Sequence, residues 1–116
     1  MENIIKIKGH SSFRGAYSGS GDLELYGSFE GVLKINTLYV KKTGKFFGKL
    51  AAKNIIIEGE VSADIEAETL HLKPTGFVDG DLIYHNLIIE SGGLLNSKRV
   101  HNMSNNNDII KFKNNN

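Results

Sequence analysis

Apolar residues come in pairs separated by a single residue, and the pairs begin at Ile5, Leu23, Leu38, Ile55, Leu70 and Leu87. The starts are 18, 15, 17, 15 and 17 residues apart, so short and long units alternate after an irregular first one. Each pair leads into a turn, short around Gly27 and Gly59, long at Lys42-Thr43-Gly44, Pro74-Thr75-Gly76 and Ser91-Gly92-Gly93. Beyond the turn an apolar residue returns at Phe13, Phe29, Phe46, Val61, Val78 and Leu95. Two residues later stands a small one: Gly15, Gly31, Gly48, Ala63, Gly80 or Ser97. Apolar residues follow at Tyr17, Leu33, Leu50, Ile65 and Leu82, where the sixth unit departs with Arg99.

This alternation has a period of two, which places the apolar residues on one face of strands and would scatter them around a helix. Three short strands per unit, broken by glycine-containing corners, predict an all-β chain wound as a parallel β-helix of about six roughly triangular turns. Turns ~4.8 Å apart make a rod on the order of 29 Å long. The single proline, Pro74, falls in a corner, where a missing ladder donor does least harm. Strict six-residue units would indicate a left-handed hexapeptide coil, and a 15-residue turn does not divide by six.

The polar positions fit the same register. One outward column reads Lys8, Tyr26, Lys41, Glu58, Lys73, Glu90, with charge sign alternating over the last four turns. Stacked positions lie ~4.8 Å apart in a parallel coil, where like charges repel. Exposed pairs contribute only about 0–1 kcal/mol each, so the column selects register more than it stabilises. The residues before each new unit, Thr37, Asn54, Thr69 and Asn86, form a further column suited to hydrogen bonding along the axis.

Composition narrows the function. The chain has 116 residues, a net charge of +1 and no cysteine. Near-neutral charge argues against a nucleic-acid surface, and the lack of cysteine excludes a disulfide framework or a thiolate site. No apolar run approaches the roughly 20 residues of a membrane span, and no signal-peptide pattern opens the chain. The expected organisation is a short leader over 1–4, a β-helix domain over 5–101 and an Asn-rich disordered tail over 102–116. Ile109 to Lys113 is the only patterned piece of that tail, and a peptide contact, a membrane toehold and an end cover are its readings beside disorder.

The phrases Gly27-Ser28-Phe29-Glu30-Gly31, Glu58-Gly59-Glu60-Val61-Ser62-Ala63-Asp64-Ile65-Glu66-Ala67-Glu68 and Phe77-Val78-Asp79-Gly80-Asp81-Leu82 carry a resemblance. They are similar to the repeated "G-x-V-x-G-D-I-x-A" phrases of the bactofilin family, and the similarity runs from about Ile5 to Val100. The resemblance implies a right-handed coil that assembles end to end into nonpolar filaments without nucleotide. It further implies a bacterial cytoskeletal role that positions cell-wall enzymes and shapes the cell. Many similar proteins touch the membrane through an N-terminal peptide; with only residues 1–4 before the first strand, weak or no direct membrane binding is expected here. The expected location is the cytoplasm, at the inner face of the cell membrane.

A coil of stacked turns leaves unpaired backbone and half-covered side chains at both ends. The expected polymerisation interface is therefore Ile5, Ile7 and Phe13 at the first turn, with Leu94, Leu95 and Val100 at the last. The expected partner is the chain itself, in an end-to-end homopolymer, with cell-wall enzymes or inner-membrane proteins as further partners and no nucleic acid. A non-polymerising β-helix that recruits a wall enzyme or membrane partner through its flat faces is the alternative.

Other chemistry is thin. Asp64 and Asp81 share a column with Lys49 and Lys98, and Asp79 lies two residues from Asp81. Stacked carboxylates of this kind serve glycoside cleavage or calcium binding, but no loops form a cleft around them. Of the four histidines only His85 and His101 approach across adjacent turns, without a third ligand. The stretch Gly15 to Gly21 lacks the following helix and Gly-Lys-Ser/Thr phrase of a phosphate loop. No enzyme activity, cofactor or metal is expected.

Overall fold

The computed structural model describes residues 4–96, 100–102 and 111–112. Every regular element among them is a strand: β1 (Ile4–Ile7), β2 (Ser12–Ser18), β3 (Asp22–Leu25), β4 (Ser28–Val40), β5 (Lys45–Ile57), β6 (Glu60–Leu72), β7 (Phe77–Asp79), β8 (Leu82–Ile89), β9 (Leu94–Asn96), β10 (Val100–Asn102) and β11 (Lys111–Phe112). All pair in parallel within one continuous sheet wound into a solenoid.

Register confirms the columns read from sequence. Ile5 lies opposite Leu23, Leu23 opposite Leu38, Leu38 opposite Ile55, Ile55 opposite Leu70 and Leu70 opposite Leu87. Each step carries the chain once round, giving five full circuits; the sixth unit begins a further turn. These inward files are almost completely buried and form one contiguous core. Ile5, Ile7 and Leu95 pack partly buried against it at the two ends.

Two local devices set the turn lengths. Two of the three long turns carry a threonine that bonds back to the turn below: Thr43 Oγ1 donates to the Tyr26 carbonyl at 2.6 Å, and Thr75 Oγ1 to that of Glu58 at 2.7 Å. The short turn at Gly59 nests so closely that a Cβ there would lie 2.3 Å from the carbonyl oxygens of both Gly44 and Lys41. The irregular first unit is a long unit with one extra residue, inserted where Ser18 to Asp22 spans the corner that Lys34 to Thr37 spans a turn later.

One expectation needs correction. Sequence spacing placed Arg99 at the position of Leu82, whereas Val100 lies opposite Leu82. Asn96 pairs with Asp79, so four residue steps here match three in the preceding turn. Because facing alternates residue by residue, this one-residue slip puts an apolar residue at an inward position that strict spacing gave to arginine. Ser97, Lys98 and Arg99 themselves lie outside the described residues, as does most of the expected tail; of that tail, Asn102 belongs to β10, and Lys111 and Phe112 pair with β8.

Candidate assembly ends

The first turn is built by β1 and β2, each paired on one side only among the described residues: β1 with β3, and β2 with β4. Every residue of β2 is exposed, although its register continues the inward files beneath it. Phe13 stands opposite Phe29, with ring centroids 4.8 Å apart, and Phe29 stacks on Phe46 at 5.1 Å. Phe29 and Phe46 are buried while Phe13, the last ring of the stack, is 38% exposed. Tyr17, opposite Leu33, is also open. The rim is thus a row of apolar side chains with one face covered and one bare.

At the other end, β9 follows β7 and β10 follows β8. Leu95 continues the Phe13–Phe29–Phe46–Val61–Val78 file and is half-buried. Leu94, expected with it at the interface, points the other way along the strand and is 62% exposed. Of Val100 the structure gives the strand position opposite Leu82. The residues expected at the two rims therefore fall in two groups at opposite ends: Ile5, Ile7 and Phe13 at one, Leu94, Leu95 and Val100 at the other.

The structure also contains a polar cluster near the last turn that column reading missed. His71 Nε2 lies 2.5 Å from Glu90 Oε2, and Lys73 Nζ lies 3.2 Å from the same oxygen. The hydrogen bond from His71, aided by the Lys73 ammonium and opposed by desolvation, holds the Glu90 carboxyl below its usual range. Lys73 stacks on Glu90 within one column, which the sequence reading found. His71 faces Ile88 and reaches Glu90 along the diagonal, two residues further on. A second missed feature is Tyr84, fully buried in the file of Ile35, Ala52 and Ala67, where the two alanines leave room for a large neighbour.

The remaining candidates separate. Asp64 faces Lys49 across the ladder and Asp81 lies one turn on, its carbonyl accepting from the Ile65 N–H at 2.8 Å. Asp64, Asp81 and Lys49 edge an open groove of about 470 Å³ on the outer face. Asp79 sits on the far side of the Gly80 corner, opposite Ser62. His101 stands over Ile83, two register positions from His85. No group of three His, Cys, Asp or Glu suited to a metal occurs among the described residues. In the glycine-rich stretch, Gly19 donates its N–H to the Lys34 carbonyl at 3.0 Å, so this amide continues the ladder. No helix among the described residues is long and apolar enough to cross a membrane.

A model of the bactofilin family, described as polymer-forming cytoskeletal, matches residues 5–99. No curated protein and no solved structure matches the chain. The matched span covers the solenoid from its first inward residue to its last turn, and with the parallel register it settles the assignment: the chain belongs to the bactofilin family of polymer-forming cytoskeletal proteins.

Proposed function

We propose that this chain assembles end to end into filaments without nucleotide, and that the filament scaffolds the cell-shape or cell-wall machinery at the inner face of the cell membrane. The observation that carries this reading is that members of the inward files are only partly covered at both rims. The Phe13–Phe29–Phe46 stack ends in a ring that is 38% exposed, and Leu95 ends the same file at the opposite rim. Joining rims covers apolar surface, worth about 25 cal/mol per Å² removed from water, and pairs orphan strand edges in the same step. The contact residues in this proposal are Ile5, Ile7, Phe13, Leu94, Leu95 and Val100.

The test is sedimentation and negative-stain microscopy of the wild type, Phe13→Arg and Leu95→Lys, each with and without added nucleotide. Wild type is expected to pellet as filaments in both conditions, and each variant to remain as small particles with an unchanged β-type circular dichroism spectrum. Long filaments from both variants would overturn the end-to-end contact. A wild type that never pellets would favour a non-polymerising scaffold.

A further inference from the structure

Tyr26, Lys41, Glu58, Lys73 and Glu90 donate their N–H groups to the carbonyls of Ile7, Leu25, Val40, Ile57 and Leu72, one turn back, at 2.7–2.9 Å. Those acceptors belong to one file, so its carbonyls all point forward along the coil. Ile89 is the next member, paired with Leu72. In a parallel ladder the N–H and C=O of one residue face the same side, so both polar groups of Ile89 face the C-terminal rim. A seventh unit would take them up, and the regular repeat ends with the sixth.

The segment that meets them is β11. It runs parallel to β8, with Lys111 opposite Ile88 and Phe112 opposite Ile89. Phe112 therefore takes the register position that continues the file of Leu25, Val40, Ile57, Leu72 and Ile89. In sequence, Ile110-Lys111-Phe112 repeats the spacing of two apolar residues one apart that opens each unit, and Lys111 takes the register position that runs from Lys6 and Glu24 to Ile88. The tail thus supplies the opening strand of a turn that the described residues do not otherwise build.

We infer that the Lys111–Phe112 strand is a removable cover for the C-terminal rim, competing with a second copy of the chain for the forward edge of β8 and so acting as a brake on assembly; this rests on the end-to-end reading above. The cover pairs two residues on one side of the last turn. An incoming rim offers strands to all three sides and displaces it. A tethered segment acts at an effective concentration on the order of millimolar, so the cover wins when free copies are dilute and yields as they accumulate. A tail docked nine times in ten weakens the apparent affinity between copies about tenfold.

The test uses the full chain as wild type, Phe112→Glu and Phe112→Leu. Glutamate places a charge at an inward register position and should undock the strand; leucine keeps the position apolar. Exchange of the Ile89 amide is followed by NMR in samples dilute enough to be monomeric, and the onset of pelleting is measured against protein concentration. The expected result is fast Ile89 exchange and about tenfold earlier onset for Phe112→Glu, with Phe112→Leu matching wild type. Equal Ile89 exchange in all three proteins would show that the tail does not dock, and unequal exchange with equal onset would show that docking is no brake. Either result overturns the inference and leaves filament formation standing, because the wild type still pellets. If none of the three pellets at any concentration, the filament reading fails and takes the brake with it.

Discussion

The two rims of this coil present different surfaces. The N-terminal rim is broad and aromatic: β2 is seven residues long, exposed throughout, and its Phe13 rests on two buried phenylalanines. The C-terminal rim is built from strands of three residues, β9 and β10, and its part of the same file is aliphatic, running through Val61 and Val78 to Leu95. There β11 covers part of one side, whereas β1 and β2 carry nothing beyond them among the described residues. A repeat that looks uniform in register therefore ends in one open aromatic rim and one partly covered aliphatic rim. Side-chain identity in the file, strand length and the presence of β11 at one end together set the difference.

The asymmetry is testable most strongly through the file itself. Phe29→Ala removes the buried ring on which Phe13 rests and should cost about 3–5 kcal/mol, the range for burying a cavity of that size. Val78→Ala, the matching position near the other rim, removes two carbons and should cost clearly less, about 2 kcal/mol from ~0.8 kcal/mol per group plus a small cavity contribution. Urea denaturation of both variants decides it. Equal losses would mean that the aromatic stack confers no special stability on the N-terminal rim.

A smaller, more local effect is expected at the corner glycines. Gly31 has φ +138°, and a Cβ there would lie 1.8 Å from the Gly15 carbonyl oxygen, in the end turn. The corresponding Cβ at Gly48 would meet the Gly31 carbonyl at 2.0 Å, inside the coil. The end turn can yield outward and the interior cannot. Gly31→Ala should therefore lose hydrogen-exchange protection mainly in β2, with a global cost of about 1–3 kcal/mol. Gly48→Ala should lower the denaturation midpoint further. Uniform loss of protection across the coil in Gly31→Ala would show that the first turn is as firmly held as the middle.

The legibility of the molecule follows from the same contrast. In the middle turns each file repeats one chemistry at fixed spacing, so the stacking of Leu38, Ile55, Leu70 and Leu87 is legible in the sequence. Spacing failed where the chain departs from the period. The slip that puts Val100 over Leu82 depends on one extra residue between Asn96 and Val100, and counting alone favoured Arg99. The pairing of β11 was hidden because 23 residues separate Leu87 from Ile110, outside the 15–17 rhythm of the regular units. The His71–Glu90 contact was missed because columns record stacked neighbours and this one is diagonal. Of the candidate rim, Phe13, Phe29 and Phe46 were legible as successive members of one file; that their rings stack became visible only as geometry.

The smallest effect separates the rims by pH. Near the C-terminal rim, His71 and Lys73 hold ionised Glu90, with side chains 22%, 34% and 21% exposed. The corresponding N-terminal contact, Lys6 to Glu24, is longer at 3.9 Å and its lysine is 59% exposed. A carboxyl whose folded pKa lies below its ordinary value near 4.5 stabilises the fold fully above that value. The contribution is lost as pH falls through the lowered folded value. Glu90→Gln should accordingly melt slightly below wild type at pH 6, and the gap in Tm should narrow once the pH drops below about 4.5. Glu24→Gln, which removes a long pair whose lysine is exposed, should leave Tm nearly unchanged at pH 6. Thermal melts of the three proteins between pH 3 and 6 check both, on the conventional ~0–1 kcal/mol scale of exposed pairs for Glu24. A Glu90→Gln gap that stays constant through the acid range would mean that the carboxylate's charge contributes nothing there, and that the last turns are held, like the first, by their apolar file.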